Sequence, residues 1–534
     1  MERVESGNVY VDYAYDKDRL SAITHNEGQV KYTFEYDVYG RTANTQVGNG
    51  TENQRLATYS YNNRNLMSLL QYGNGDLVHY AYNNTDQLSE KWFDDSTQKV
   101  YYDYNSDNQL GLVKDELQNT RTRYTYDLAG RLIEEEVRQN SAKDNGELLY
   151  STSYVYDDGT NRLQSRTNTV LNVPNTQSFV YGDTSKGQMA DMVYGVQVNG
   201  TEEITYTYDK LGRKTSRTLW GGMMPIETTY TYVQGADEGK TTTLLDTVTQ
   251  NGVVTQYSYD ELGNITQISE DGEVKRSYTY DALNQLTSET RDGTAETYTY
   301  DNGGNILSRT RNGKTDTWTY DSTLWKDLLT SYNGQTITYD EIGNPLTYRD
   351  GMAMTWEHGR QLSTLTRDND SISYGYNADG VRISKTVNGQ TTEYILDDST
   401  ILAEKRPDGS TIRYLFDEAG NRYGFIQDNM FLYYYVYNGQ GDVVGIVSSE
   451  DEPVAWYEYD AWGNVVSIGG DADIANANPI RYRGYYYDTE TGFYYLNAGT
   501  MTRRFAGLLM RMDTQVPDEG YWETICSHIV KTIL

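Results

Sequence analysis

Few residues in this chain have the type and spacing of reactive groups, and each of them has a plainer reading. Cys526 and His528 lie two apart near the C-terminus; on a strand they would share a face and could pair as thiol and imidazole. No third group that would orient the imidazole is identifiable, so they are not assigned as nucleophile and base. Asp513 and Asp518 lie in the same tail, but two carboxylates do acid–base work only where a shared site splits their protonation states. Asn438-Gly-Gln-Gly-Asp442 has the glycine content of a phosphate loop yet lacks the Lys-Ser/Thr pair and a following helix, so it reads as a turn. Aspartates recur along the chain, and Asp is a hard oxygen donor for calcium, but no copy has the alternating Asp/Asn ladder and closing Glu of a calcium loop. The expectation is no catalytic residue, no metal ligand and no cofactor. The 53 tyrosines leave one binding chemistry open, because rings with apolar faces and polar edges can stack on sugars.

Those aspartates and tyrosines belong to a repeat. Tyr-x-Tyr-Asp-x-x-Gly-Arg/Asn-Leu recurs, clearest from Tyr124 to Leu132 and again from Tyr206, Tyr257 and Tyr457. With degenerate copies at Tyr181, Tyr232 and Leu396, about twenty-two registers appear. Tyr-x-Tyr puts two rings on one face of an extended strand. Asp-x-x-Gly is a turn, in which Asp bonds the backbone two residues on and Gly takes the positive φ that follows. Asn-Gly or Asp-Gly dipeptides separate the copies, at Asn251, Asp271, Asp292, Asn312, Asn333, Asp350, Asn388 and Asp408, and favour tight type I′ hairpins.

One unit is therefore strand, turn, strand, hairpin, and the chain is predicted to be all-β: one long antiparallel meander. Some forty strands cannot stay in a flat sheet, because the twist between neighbours accumulates until the sheet curls or closes. The ribbon must coil. Propeller blades are set aside, since they need four strands per repeat and a period near forty, against an interval here of about twenty. A wide coil leaves both faces wetter than a packed sandwich, which suits strands rich in Tyr and Thr.

Composition bounds the function. The 534 residues carry a net charge of −32, from 45 Lys+Arg against 77 Asp+Glu, which argues against a nucleic-acid partner. A single cysteine excludes a disulfide framework and a Cys metal cluster. Only 7 prolines and no Pro- or Ser-rich linker interrupt the chain, so one continuous architecture is expected. The first residues show no basic stretch followed by an apolar one, and no long apolar run follows, so neither a signal peptide nor a membrane span is expected. Met1 begins at a repeat, and an N-terminal part with an export signal is expected to be missing.

The repeats resemble the YD repeats of the Rhs family. The stretch from Tyr437 to Gly470, followed by Asn478 to Ala498, resembles the Rhs repeat-associated core. The likeness runs from about Val9 to Ala498: repeats over 1–430, a core segment over 431–498 and an aberrant tail over 499–534. It implies a ribbon wound into a hollow shell, as in bacterial wall-associated toxins, the C components of insecticidal Tc toxins and the animal teneurins. In the toxins the shell encloses a C-terminal toxic polypeptide; the core closes it and often cuts the chain as an aspartic-type self-cleaving segment. The implied setting is extracellular or cell-surface, and the implied partner is that polypeptide.

The tail departs from the family, which continues with Arg-Tyr-Tyr-Asp-Pro where this chain reads Gly499-Thr-Met-Thr-Arg503. Loss of one base from CGG-TAC-TAT-GAC-CCG leaves GGT-ACT-ATG-ACC-CG, which encodes the residues observed. Our hypothesis is a shifted frame from Gly499; sequencing the coding DNA across Ala498 tests it, and codons unable to yield Arg-Tyr-Tyr-Asp in the neighbouring frame refute it. The family's cleaving aspartates then have no counterpart, so no autoproteolysis is expected, and the residues left are too few for an independently folded toxin. The sequence thus points to a non-catalytic shell fragment of a secreted toxin whose cargo is absent. The alternatives are a glycan-binding surface module and an active self-cleaving protease.

Overall fold

The computed structural model describes residues 3–6, 9–141, 146–222, 224–235, 240–450 and 452–496, together with the backbone of 500–502 and 508–509. The tail residues Asp513, Asp518, Cys526 and His528 lie outside the described residues.

Each strand pairs antiparallel with the next along the chain, giving a 30-stranded sheet over Arg3–Thr336 and a 12-stranded sheet over Ala353–Gly470 among the described residues. The reason is visible in one repeat. In the turn after the strand Thr120–Tyr126, Asp127 Oδ1 accepts from the backbone N–H of Ala129 and of Arg131, both at 2.9 Å, and Oδ2 accepts from Arg131 Nε at 2.6 Å. Gly130 closes the turn at φ 82°, a region that costs most residues other than Gly, Asn and Asp a Cβ clash. Just before each such turn the register slips by one residue, as between Thr125 and Tyr126. A bulge of this kind bends a strand and increases its twist, and its recurrence along one edge curls the ribbon.

The dipeptide hairpins follow the expected backbone: Asn312 and Gly313 have φ 50° and 74°, and Asn388 and Gly389 have 51° and 81°. Asp408-Gly409 departs. Only Gly409 has a positive φ there, because Pro407 presets the ordinary type I turn instead.

The meander is also interrupted where it was expected to continue. After the strand Lys314–Thr319 the strands shrink to Ser331–Tyr332 and Gln335–Thr336. Trp325 leaves the ribbon to join Val30, Val47 and Leu56, and its indole donates to Tyr32 Oη at 3.0 Å. The second winding already meets the first where Asn26 donates to Asp301 at 3.3 Å, and this indole anchors it.

The two windings meet along a seam whose contacts, with local variation, become closer in sequence towards its C-terminal end. Tyr32 and Asp327 are 295 residues apart, Lys91 and Asp379 288, Tyr150 and Asp397 247, Tyr206 and Glu418 212, and Glu289 and Ala461 172. Fewer residues per turn means a narrowing coil. Apolar side chains gather in five separate clusters among the described residues, four of which join both windings. Burial is thus spread along the seam and not concentrated in one central core, as a ribbon wound about open space requires.

Candidate functional site

The element with the most specialised chemistry is the segment that follows the last ribbon strand, Val465–Gly470. Asp471 caps the helix Ala472–Ala477, accepting from the N–H of Asp473 at 2.9 Å and of Ile474 at 3.3 Å. Asn478, fully buried, then ties the segment to the wall: its Oδ1 accepts from Tyr435 Oη at 2.9 Å, and its Nδ2 donates to Ile480 O at 2.7 Å and to Tyr457 Oη at 3.3 Å. Arg481 lies over the Tyr487 ring, 4.6 Å from its centroid, while its carbonyl accepts from Val443 N at 3.1 Å.

The strand Tyr486–Asp488 pairs with Phe493–Tyr495 to end the segment. Tyr-Tyr-Asp is a copy of the repeat, but its aspartate has been diverted. Asp488 accepts from Arg382 Nη1 at 2.6 Å and from Lys385 Nζ at 3.0 Å, both on the second-winding strand Arg382–Val387. Thr491 Oγ1 takes over the turn, accepting from Phe493 N at 3.1 Å.

Lys385 also donates to Glu490, at 2.9 and 3.1 Å. Arg382 Nε and Nη2 make no hydrogen bond. The guanidinium is instead surrounded by rings, with Tyr394, Tyr486 and Tyr495 centred 5.2, 5.0 and 4.3 Å from its Cζ. Such contacts gain strength when desolvated. Burial alone would raise the Asp488 pKa, but Arg382 and Lys385 outweigh it and hold the carboxyl below 3.8, while Asp488 in turn holds the Arg382 guanidinium charged. The segment is therefore locked to the wall by a buried ion triad, with hydrogen bonds at either end.

The sequence-level candidates fall differently. Asn438 Oδ1 accepts from Gln440 N at 3.0 Å and Asp442 N at 2.9 Å, and Gly439 N donates to Tyr257 Oη at 2.8 Å. That glycine stretch is a turn docked on the first winding, with its amides used. The repeat aspartates likewise spend their oxygens inside their own turns, and no group of three or more metal-binding side chains occurs among the described residues.

Two roles went unread in the sequence. The second tyrosine of a repeat donates its hydroxyl to a backbone carbonyl of the preceding repeat, as Tyr126 does to Leu110 at 2.9 Å and Tyr156 to Leu132 at 3.0 Å. Where an arginine follows the turn glycine it can stack on the next repeat's second tyrosine, with Arg131 4.8 Å from Tyr156 and Arg213 4.0 Å from Tyr232. The fixed Gly-Arg spacing was the available signal. These tyrosines act as rungs between repeats, so their hydroxyls are not free for sugars.

A β-ribbon coiled in narrowing turns, with a segment bolted across its buried face, defines a structural shell. The chain matches the Teneurin YD-shell family profile over residues 228–525 and belongs to that family. It is 35% identical over 199 residues to the tRNA3(Ser)-specific nuclease WapA of Bacillus spizizenii, and equally to the tRNA nuclease WapA of Bacillus subtilis. Those matches take in 36% of this chain and only 8% of the length of each relative. Among solved structures it is similar to TcdB2-TccC3 without its hypervariable C-terminal region (TM-score 0.73, 17% identity, 95% of this chain and 29% of the other). It is also similar to the Photorhabdus luminescens Tc holotoxin pore (TM-score 0.72, 17% identity, 96% and 28%). At that identity the likeness concerns the fold: a shell of YD repeats like that of toxin-delivery proteins. No helix among the described residues is long and apolar enough to cross a membrane.

Proposed function

We propose that this chain is the non-catalytic shell portion of a secreted or cell-surface Rhs-type toxin protein, built to enclose or display a C-terminal toxin polypeptide that this chain itself does not carry. The observation that carries this reading is the closing segment. Its buried Asp488 fastens it to Arg382 and Lys385 of the narrower winding, so the segment ends at a fixed point on the wall. We assign the repeats to 1–430, closure to 431–498 and the tail to 499–534. Nuclease action, named for the WapA relatives, is not assigned to this shell: a net charge of −32 repels a polyanion.

A protease-sensitive peptide appended to the C-terminus tests enclosure. The expected result is resistance to added protease in the native protein and rapid cutting once urea unfolds it; cutting in the native state rules enclosure out. The same preparation, kept for days at pH 5 and pH 7, should remain a single full-length band on a denaturing gel. Fragments ending near residue 498 would instead establish self-cleavage, and hits on a glycan array would favour an adhesive role.

A further inference from the structure

The seam between the windings collects titratable groups that the shell's closure does not use. His25 on the first winding pairs with Asp327 on the second at 3.2 Å, and its ring stacks with Tyr32. His358 on the second winding pairs with Asp95 on the first at 3.1 Å and stacks on Phe93, ring centroids 3.8 Å apart. Elsewhere the seam sets acid against acid. Glu135 faces Asp397 and Asp398 across it, with the Tyr150 hydroxyl donating to Asp397 at 3.1 Å, Tyr124 alongside and Arg166 near Asp397. Glu289 takes the Ala461 N–H at 2.9 Å while facing Asp460 of the same docked turn. Its other oxygen has no hydrogen-bond partner. Around this second cluster stand Arg276, Arg291, Glu296 and Arg309, with the rings of Tyr278 and Tyr298.

We propose that the seam is a pH-operated latch, closed in mild acid and loosening as the pH rises through neutrality, while the closing segment stays fastened. Two kinds of contact act in the same direction. Protonated, the His25 ring makes its ion pair with Asp327; neutral, it does not. A carboxyl facing another carboxylate in a buried place is tolerated when protonated and repelled when ionised.

The signs agree. Burial opposes charge on the His25 ring, but Asp327 and Asp301 outweigh it and raise its pKa above 6.5. That pair's contribution is complete below 6.5 and is lost as the pH passes the raised value. Burial, with Asp397 adding to it, lifts Glu135 from 4.5 to about 7. Burial with Asp460 nearby lifts Glu289 likewise, to about 7. The folded seam holds these protons more tightly than the unfolded chain, a contribution present below 4.5 and lost between 4.5 and about 7.

Hydrogen exchange of the full chain between pH 5.5 and 8.5, corrected for the intrinsic rate, tests this. Peptides over 132–139 and 286–291 are expected to lose protection by at least about tenfold, the equivalent of one pKa unit, and the peptide over 22–33 is expected to lose protection in the same direction. The peptide over 486–495 is expected to keep its protection. In a Glu135→Gln/Glu289→Gln variant, which mimics the protonated acids, peptides 132–139 and 286–291 should become insensitive to pH while 22–33 keeps its slope. Equal pH behaviour of seam and closing segment in the unmodified protein, or a variant with an unchanged slope at 132–139 and 286–291, overturns the proposal.

Discussion

Asp488 and Asp127 occupy the same place in the same motif and do different work. Asp127 organises an exposed turn, whereas Asp488 neutralises two cations that the fold has taken out of water. Breaking a buried pair from one side leaves the other side's charge uncompensated, at a cost of about 3–5 kcal/mol. Asp488→Asn should therefore lower the unfolding free energy measured by urea denaturation by an amount of that order, and Asp127→Asn by much less. The triad also has a pH signature: a carboxyl held below 3.8 contributes stability above that value and loses it as the pH falls further. Hydrogen exchange of the peptide over 486–495, corrected for the intrinsic rate, should show unchanged protection from pH 9 to pH 5 and a loss only under strong acid. The turn role of the repeat aspartates was legible from Asp-x-x-Gly. The role of Asp488 was not, because its partners Arg382 and Lys385 lie 106 and 103 residues away and carry no motif of their own.

Among elements, the repeat works as a rung. The turn glycine, the arginine after it and the second tyrosine of the next copy form one contact chain, Gly130 to Arg131 to Tyr156. Tyr156→Phe removes the hydroxyl bond to Leu132 and should cost about 1 kcal/mol in chemical denaturation. Gly130→Ala places a Cβ on a residue at φ 82°, where the backbone penalty is about 1–2 kcal/mol; the midpoint should fall accordingly with the slope unchanged. Strands, turns and hairpins were readable because each is fixed by residues a few positions apart. The break around Trp325 was not, since what pulls that side chain out of the ribbon is a pocket at Val30, Val47 and Leu56, far back in the chain. Asp408-Gly409 shows a local limit of the same reading, one proline overriding the dipeptide rule.

For the whole molecule, coiling was required by the number of strands, but its pitch was not available from the sequence. Contacts separated by 295 residues in the early part of the seam and 172 in the late part set how many repeats make a turn, and no periodicity shorter than that records them. The account rests on a ribbon wound about open space. Small-angle scattering combined with cryo-electron microscopy of the purified chain measures this directly. A filled globule of 534 residues would have a radius of gyration of about 24 Å. The expected result is a larger radius and a reconstruction with a density minimum enclosed by two stacked, narrowing turns of β-ribbon; a radius near about 24 Å with continuous density through the centre would contradict it.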